Sequence, residues 1–168
     1  RETSKKTTKL PEGFVWSSCS LKEVCTFLNA YYVGNDTFRM GYTTDNLKWS
    51  VNESVAIRKQ DTGELVGYIS SAPVTMNVET KVIDMVQITY LCIHTKYRAM
   101  NFAPVLITEI KRRANKKGIW QAIYTAHTKI PTPITKANYW HRFLNVRHLV
   151  KMGFHETNRL RESFYEVR

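Results

Sequence analysis

Apolar residues recur at helical spacing near the start of the chain. They predict an amphipathic helix over about residues 21–32, because positions three and four apart share one face of a helix. Ser20 precedes this segment, and Glu23 lies three positions after Ser20, which is the pattern of a capping box at a helix N-terminus. The apolar positions of this face are Leu21, Val24, Cys25, Leu28 and Tyr32.

The apolar period changes to two from about residue 53. Two alternating segments, residues 55–57 and 65–69, flank the turn sequence DTG at 61–63, which predicts a β-hairpin. Pro73 is expected to interrupt the second strand, because proline donates no hydrogen bond to a sheet. Residues 74–78 are then expected to begin a third strand.

The longest predicted strand covers residues 82–94. A basic loop at 96–98 follows it, and a helix with an apolar stripe is expected from about Asn101 to Gly118, which can close it in the left-handed conformation. Strict alternation along the strand places two sets of residues on opposite sides. These sets are Val86, Ile88, Tyr90 and Cys92, and Gln87, Thr89, Leu91 and Ile93.

The pattern becomes weaker beyond Gly118. Residues 119–126 predict a buried strand, and residues 146–152 predict a short helix that ends at Gly153. Residues 163–167 are compatible with a last strand. The order of elements predicts an α+β fold with one mixed, mostly antiparallel sheet that is flanked by helices.

The length of 168 residues and the 43% hydrophobic content suit one folded domain. Residues 1–9 are polar and basic and predict a flexible arm, which leaves residues 10–168 for the domain. No apolar run approaches the roughly 20 residues of a membrane span, and no signal-peptide core is visible. Cys19, Cys25 and Cys92 are odd in number and form no metal-binding pair, which predicts a cytoplasmic, reducing compartment and no metal site.

The charge balance favours an anionic partner. The 25 Lys and Arg residues against 14 Asp and Glu give a net charge of +11, which suits nucleic acid, a lipid surface or a phosphate-bearing cofactor. The junction between the long strand and its helix is a possible phosphate site, because free N–H groups and the helix dipole converge there. Arg98 is a bidentate donor at this junction, and the alternative is a solvated loop charge. Neither a P-loop nor a GxGxxG sequence is present.

The same junction carries a family resemblance. The segments YLCIH at 90–94 and APVLITEIKRR at 103–113, with Arg98 between them, closely resemble the N-terminal half of glycylpeptide N-myristoyltransferases. The resemblance covers residues 9 to about 154 and implies a single GNAT-type acyltransferase domain that binds myristoyl-CoA without a metal. Four further segments agree in order and spacing: KLPEGFVW at 9–16, TFR at 37–39, YTA at 124–126, and YWHR at 139–142 with Leu144 and Asn145.

The resemblance also implies roles for single residues. Tyr90 and Leu91 match residues whose backbone amides form an oxyanion hole, and a bulge in the strand would free those amides from the ladder. Thr125 matches a threonine that guides the attacking amine, and Thr89 stands where the family has an asparagine. The residues implied in acyl-CoA binding are Leu91, Cys92, Ile93, Arg98, Ala99, Met100, Asn101, Phe102, Ala103 and Pro104.

Three functions remain open at this point. The first is an acyl-CoA-dependent N-acyltransferase that moves myristate or a similar group to an amine such as an N-terminal glycine. The second is a catalytically impaired acyl-CoA-binding protein that acts by sequestration or partner contact. The third, a basic module for nucleic acid, is the least favoured.

Two further expectations depend on the second half of the family's proteins: the identity of the general base and the presence of a partner chain. Its C-terminal carboxylate is the family's general base, and His127 is a candidate substitute in this sequence. A domain without that half would leave an apolar face uncovered, which predicts a homodimer or a partner protein.

Overall fold

The structure is a computed structural model. The residues that it describes are 7–33, 38–126, 130–140 and 142–154. The chain divides into two compact units, residues 1–125 and residues 126–168. Each unit is described by itself, and the single domain that the sequence predicts over residues 10–168 stays a prediction.

A five-stranded sheet forms the centre of the first unit, with the spatial order β1-β2-β3-β4-β5 among the described residues. The first four strands pair antiparallel with their neighbours, and β5 runs parallel to β4. The strands are β1 (Phe14–Ser17), β2 (Glu53–Lys59), β3 (Leu65–Val78), β4 (Lys81–Ile93) and β5 (Ala122–Ile123). The predicted α+β fold with a mixed, mostly antiparallel sheet is confirmed.

Helices accompany the sheet in the first unit. The predicted capping box starts the first of them, because the Ser20 hydroxyl accepts a hydrogen bond from the Glu23 amide at 3.3 Å. The helix after β4 ends beside Gly118, whose φ of 79° is the left-handed value that the sequence predicts. The helices are α1 (Leu21–Tyr31), α2 (Thr44–Ser50), the 3₁₀ helix η1 (Thr95–Met100) and α3 (Phe102–Lys116).

The sheet has a hydrophobic cluster on each face. On one face, side chains of α1 and α2 such as Phe27 and Leu47 pack on Tyr68 of β3 and Cys92 of β4. On the other face, α3 packs on β2 and β3. The buried residues of this second cluster are Val55, Ile57, Val66, Ile69, Tyr97, Phe102, Leu106 and Ile110.

Two predicted strands have the wrong bounds. β3 runs through Pro73 to Val78 without interruption. Its last pair with β2 is Glu53 with Ser71, so one side of β3 is open at Pro73 and the strand tolerates a residue without an N–H there. Only Ala122–Ile123 forms a strand within the buried strand predicted at 119–126.

The start of the described chain is docked on α3. The Thr8 amide donates to a Glu109 carboxylate oxygen at 3.3 Å, and the Thr8 carbonyl accepts from Trp16 Nε1 at 2.9 Å. The described end of the predicted arm is therefore held in place, whereas residues 1–6 lie outside the described residues.

The described part of the second unit contains one helix, α4 (Val146–Lys151). The Asn145 side chain accepts from the His148 amide at 2.9 Å, and Gly153 follows the helix with a φ of 72°. The short helix that the sequence predicts here is confirmed, and the predicted strand at 163–167 lies outside the described residues. Nowhere in the described ranges is a helix long and apolar enough to cross a membrane.

Candidate functional site

A β-bulge lies at the predicted oxyanion residues. One residue of β3, Ile69, lies opposite two residues of β4, Tyr90 and Leu91. Tyr90 has a φ of 54°, in the left-handed region that residues other than glycine rarely adopt. Since the extra residue of a bulge leaves the ladder, this geometry supplies the unpaired backbone that an oxyanion hole needs. The role of the two amides in catalysis stays a prediction.

The bulge also changes which side chains share a face of β4. Tyr90 and Cys92 pack with the cluster under α1 and α2, whereas Ile88, Leu91 and Ile93 pack with the cluster under α3. The strict alternation predicted from the sequence is therefore wrong, because one inserted residue reverses the side on which later residues point.

Thr89 lies in β4 directly before the bulge, and Thr125 follows the end of the parallel strand β5. The last paired residues are Gln87 of β4 and Ile123 of β5, and each threonine lies two positions beyond its paired residue. The two strands point in the same direction, so both threonines are at the level where β5 ends and β4 continues to the bulge. Thr125 is exposed and Thr89 is half-buried. Three of the predicted catalytic residues, Thr89, Tyr90 and Leu91, are thus consecutive in β4, and Thr125 lies just beyond the end of the neighbouring strand.

The N-terminus of α3 faces the predicted phosphate site. Asn101 precedes the helix with a φ of 60°, and its side chain makes no capping hydrogen bond. The first turn contains no acidic residue, and Pro104 in this turn has no N–H. The amides of Phe102 and Ala103 are therefore left for an anion, which the positive end of the helix dipole also favours.

Arg98 is exposed, but its side chain connects two elements. Its Nη2 donates to the Tyr31 carbonyl at 2.8 Å, and its Nε donates to the Ile93 carbonyl at 3.3 Å. Arg98 thereby joins the C-terminal end of α1 to the end of β4. These two contacts order the guanidinium on the surface; both a phosphate contact by Arg98 and the alternative of a solvated loop charge stay predictions.

The remaining residues implied in acyl-CoA binding differ in exposure. Phe102 is only 1% exposed and belongs to the core, so that its backbone alone remains for a ligand. Cys92 is also buried, and burial raises the pKa of its thiol to about 12, while Arg98 opposes the shift. The Cys92 thiol therefore stays protonated and is no nucleophile. The exposed or half-buried members are Leu91, Ile93, Ala99, Met100, Asn101, Ala103 and Pro104.

Two serines near the bulge were not singled out from the sequence. Ser70 of β3 is fully buried and hydrogen-bonds to Thr89, and Ser50 at the end of α2 hydrogen-bonds to the Tyr90 hydroxyl. No local signal distinguishes either serine from an ordinary polar residue. His127, the candidate base, lies outside the described residues. In the described ranges, no three His, Cys, Asp or Glu residues are grouped as a metal site.

The buried carboxylate of Glu109, in α3, holds two arginines of the same helix and the Thr8 amide. Glu109 is fully buried and accepts from Arg112 Nη2 at 2.6 Å and from Arg113 Nε at 3.2 Å. Burial by itself raises the pKa of Glu109, but the hydrogen bonds from Arg112, the Thr8 amide and Arg113 outweigh it and lower the pKa to about 2. Glu109 is therefore ionised at neutral pH.

Known proteins share these features of sequence and fold. A family model described as Myristoyl-CoA:protein N-myristoyltransferase, N-terminal domain, matches residues 1–137. A glycylpeptide N-tetradecanoyltransferase of Plasmodium falciparum is 37% identical over 168 aligned residues, which cover 91% of this chain and 41% of the relative. The Drosophila melanogaster protein of the same name is 42% identical over 160 residues, covering 86% of this chain and 34% of the relative.

Solved structures agree with this result. The Saccharomyces cerevisiae N-myristoyltransferase with bound myristoyl-CoA and inhibitors matches with a TM-score of 0.86 at 33% identity, over 99% of this chain and 43% of that chain. A Trypanosoma brucei acetyltransferase shares the fold alone, with a TM-score of 0.51 at 11% identity, over 75% of this chain and 99% of that one. The implied GNAT-like fold is confirmed, although the chain spans less than half the length of its N-myristoyltransferase relatives. On this evidence the chain belongs to the N-myristoyltransferase family and corresponds to its N-terminal domain.

Proposed function

We propose that this chain binds myristoyl-CoA, or a similar acyl-CoA, and transfers the acyl group to an amine such as an N-terminal glycine. The observation that carries the proposal is the bulge at Tyr90 and Leu91, which precedes η1 and a helix N-terminus that no side chain caps. A thioester carbonyl at the bulge and CoA phosphates at α3 would use both features. The yeast relative was solved with bound myristoyl-CoA, which supports the same ligand here.

The transfer is a nucleophilic substitution at the thioester carbonyl. The amine nitrogen attacks the carbonyl carbon, and the amides of Tyr90 and Leu91 donate to the oxyanion of the tetrahedral intermediate. The carbon–sulfur bond then breaks, and CoA leaves as a thiolate while a base takes the proton from the nitrogen. Thr89 directly precedes the bulge and Thr125 lies two positions beyond the last residue of β5; their hydroxyls would orient the incoming amine.

The second candidate function is acyl-CoA binding without turnover. It is favoured by the Thr89 hydroxyl, which already hydrogen-bonds to the buried Ser70 hydroxyl and is less available to an incoming amine. General-base catalysis is typically worth about 10²- to 10⁴-fold in rate. A chain without a general base beside the amine would therefore bind acyl-CoA and transfer the acyl group slowly.

Mass spectrometry separates the two functions. We expect the purified chain, incubated with myristoyl-CoA and a glycine-initiated peptide, to increase the peptide mass by one myristoyl group. The control peptide carries an acetylated N-terminus and has no amine to react. Tight binding with an intact thioester after hours would leave the second function, and the absence of any acyl-CoA binding would contradict both.

We also propose that a second copy or another protein chain covers apolar side chains of each unit. In the first unit Trp49 is 91% exposed and Val82 is 70% exposed, and in the second unit Trp140 is 91% exposed. Large exposed apolar areas mark interfaces more often than free surface. The weight-average mass in sedimentation equilibrium should therefore rise with protein concentration, and Trp140→Ser or Trp49→Ser should weaken the rise. A constant monomer mass up to high micromolar concentration would contradict the second copy and leave only another protein chain as the occupant.

A cytoplasmic location stays a prediction of the sequence. Cys19, Cys25 and Cys92 are all free thiols, which is compatible with a reducing compartment.

A further inference from the structure

A fully buried serine holds the backbone immediately before the bulge. Ser70 lies opposite Thr89 in the β3–β4 ladder and has no exposed surface. Its Oγ donates to the Thr89 carbonyl at 3.3 Å and lies 2.9 Å from Thr89 Oγ1. The two hydroxyls satisfy each other when Thr89 Oγ1 donates to Ser70 Oγ and Ser70 Oγ donates to the carbonyl.

The Thr89 carbonyl belongs to the same peptide group as the Tyr90 amide. A peptide group is planar, so a hydrogen bond that holds its carbonyl oxygen also sets the direction of its N–H. Tyr90 needs such support, because its φ of 54° is unfavourable for a residue with a side chain and persists only where neighbouring groups enforce it. Ser70 is the side chain that contacts this peptide group from the neighbouring strand.

The side chain of Tyr90 is held from a second direction. Its hydroxyl lies 2.8 Å from Ser50 Oγ, at the last residue of α2. The rings of Tyr32 and Tyr42 pack against the Tyr90 ring edge-on, with centroid distances of 6.1 and 5.6 Å. The left-handed residue is therefore fixed at both its preceding peptide group and its side chain.

We propose that Ser70 is a positioning residue for the oxyanion hole, and that Ser50 assists it through the Tyr90 hydroxyl. This inference rests on the proposed acyl transfer. An oxyanion hole is effective when its donors already point at the developing charge before the reaction begins. In this arrangement Ser70 would touch neither the thioester carbonyl nor CoA; it acts through the Thr89–Tyr90 peptide group.

Steady-state kinetics of Ser70→Ala provide the first test. We expect kcat to fall about 10- to 100-fold, somewhat less than the loss of a whole oxyanion donor, while KM for myristoyl-CoA changes less than about threefold. Ser70→Cys keeps a weak donor and should recover part of the loss. The matched control is Ser71→Ala, which should leave kcat unchanged. Ser71 is a buried serine one position later in β3, so its side chain lies on the other side of the sheet, and it pairs with Ile88.

The carbonyl stretching frequency of bound myristoyl-CoA, isotope-labelled at the thioester carbonyl, provides a second test that needs no turnover. Two donors at the carbonyl lower this frequency, so Ser70→Ala should move it back towards its value in water. A merely structural role would change the melting temperature without moving the frequency. Should Ser70→Ala fail to fold, Ser50→Ala at the end of α2 tests the support of Tyr90 through its hydroxyl and should move the frequency in the same direction by less.

The outcomes separate this inference from the function on which it rests. A wild-type chain that binds no acyl-CoA overturns both. A wild-type chain that binds it, with the same carbonyl frequency and the same kcat in Ser70→Ala and Ser50→Ala, overturns the positioning role alone.

Discussion

Replacing Glu109 by alanine is expected to lower the free energy of unfolding by about 3 to 5 kcal/mol, the usual cost of breaking a buried ion pair on one side. The Glu109 carboxylate is fully buried and holds both Arg112 and Arg113 as well as the Thr8 amide. Its removal leaves the Arg112 guanidinium, whose side chain is 11% exposed, without a counter-charge. Arg112 Nη1 already has no hydrogen-bond partner, so the variant would leave still more of the guanidinium unsatisfied.

Urea unfolding of the variant measures this effect. The matched control is Lys111→Ala on the exposed side of the same helix, which should change the free energy of unfolding by less than about 0.5 kcal/mol. The double variant Glu109→Leu with Arg112→Met removes both charges and should recover much of the loss, because no ion is left buried alone. A loss below about 1 kcal/mol in Glu109→Ala would contradict the assignment of a buried pair.

The same carboxylate makes the fold sensitive to acid. Hydrogen bonds lower the pKa of Glu109 from 4.5 to about 2 in the folded chain. A group with a depressed pKa stabilises the fold fully above its unfolded pKa and loses this contribution as the pH falls towards the folded pKa. We therefore expect about 2 to 3 kcal/mol to be lost between pH 4.5 and pH 2. The stability difference between wild type and Glu109→Gln should shrink over this interval; a constant difference would contradict the assignment.

Replacing Phe102 by alanine is expected to cost about 3 to 5 kcal/mol of stability, as is usual for a buried aromatic ring. Phe102 is the first residue of α3, is 1% exposed, and contacts the Phe14 ring edge-on at 4.8 Å. The ring therefore fixes the helix N-terminus on β1. Thermal unfolding should show a decrease of about 10 °C.

Phe102 also tests how the chain would hold CoA. Phe102→Leu keeps an apolar side chain and the backbone amide, so myristoyl-CoA affinity should remain within about threefold while the stability falls by about 1 kcal/mol. Ile107→Ala, which removes a side chain of α3 that is 46% exposed, is the control for a surface change and should leave the affinity unchanged. A large loss of affinity in Phe102→Leu with no loss of stability would instead make the ring itself a ligand contact.

Local signals predicted the elements that local interactions form. The Ser20 cap, the long strand that became β4, the start of α3 and the left-handed Gly118 all depend on residues within a few positions of one another. The short elements β1 and α2 were not predicted from the sequence, because neither is long enough to display a period. Pro73 misled the strand prediction because its tolerance depends on where β2 stops pairing.

The candidate site was also predicted from the sequence only in part. The segment YLCIH at 90–94 and its resemblance to a family indicated a bulge and an oxyanion hole. Periodicity alone predicted strict alternation along β4, because an alternating pattern carries no signal for an inserted residue. The contact between Arg98 and the Tyr31 carbonyl was also invisible, because it joins positions 67 residues apart.

By itself, therefore, the sequence determined the fold class, the main helices, the long strand and the family to which the chain belongs. Only the tertiary structure decided the face of each residue around the bulge, the support of Tyr90 by Ser70 and Ser50, and the burial of Glu109 against Arg112 and Thr8. The physical reason is the range of the interactions. Caps, turns and amphipathic periods act between neighbours in the chain, whereas a side chain that orients a distant peptide group acts only after the sheet has brought the two together.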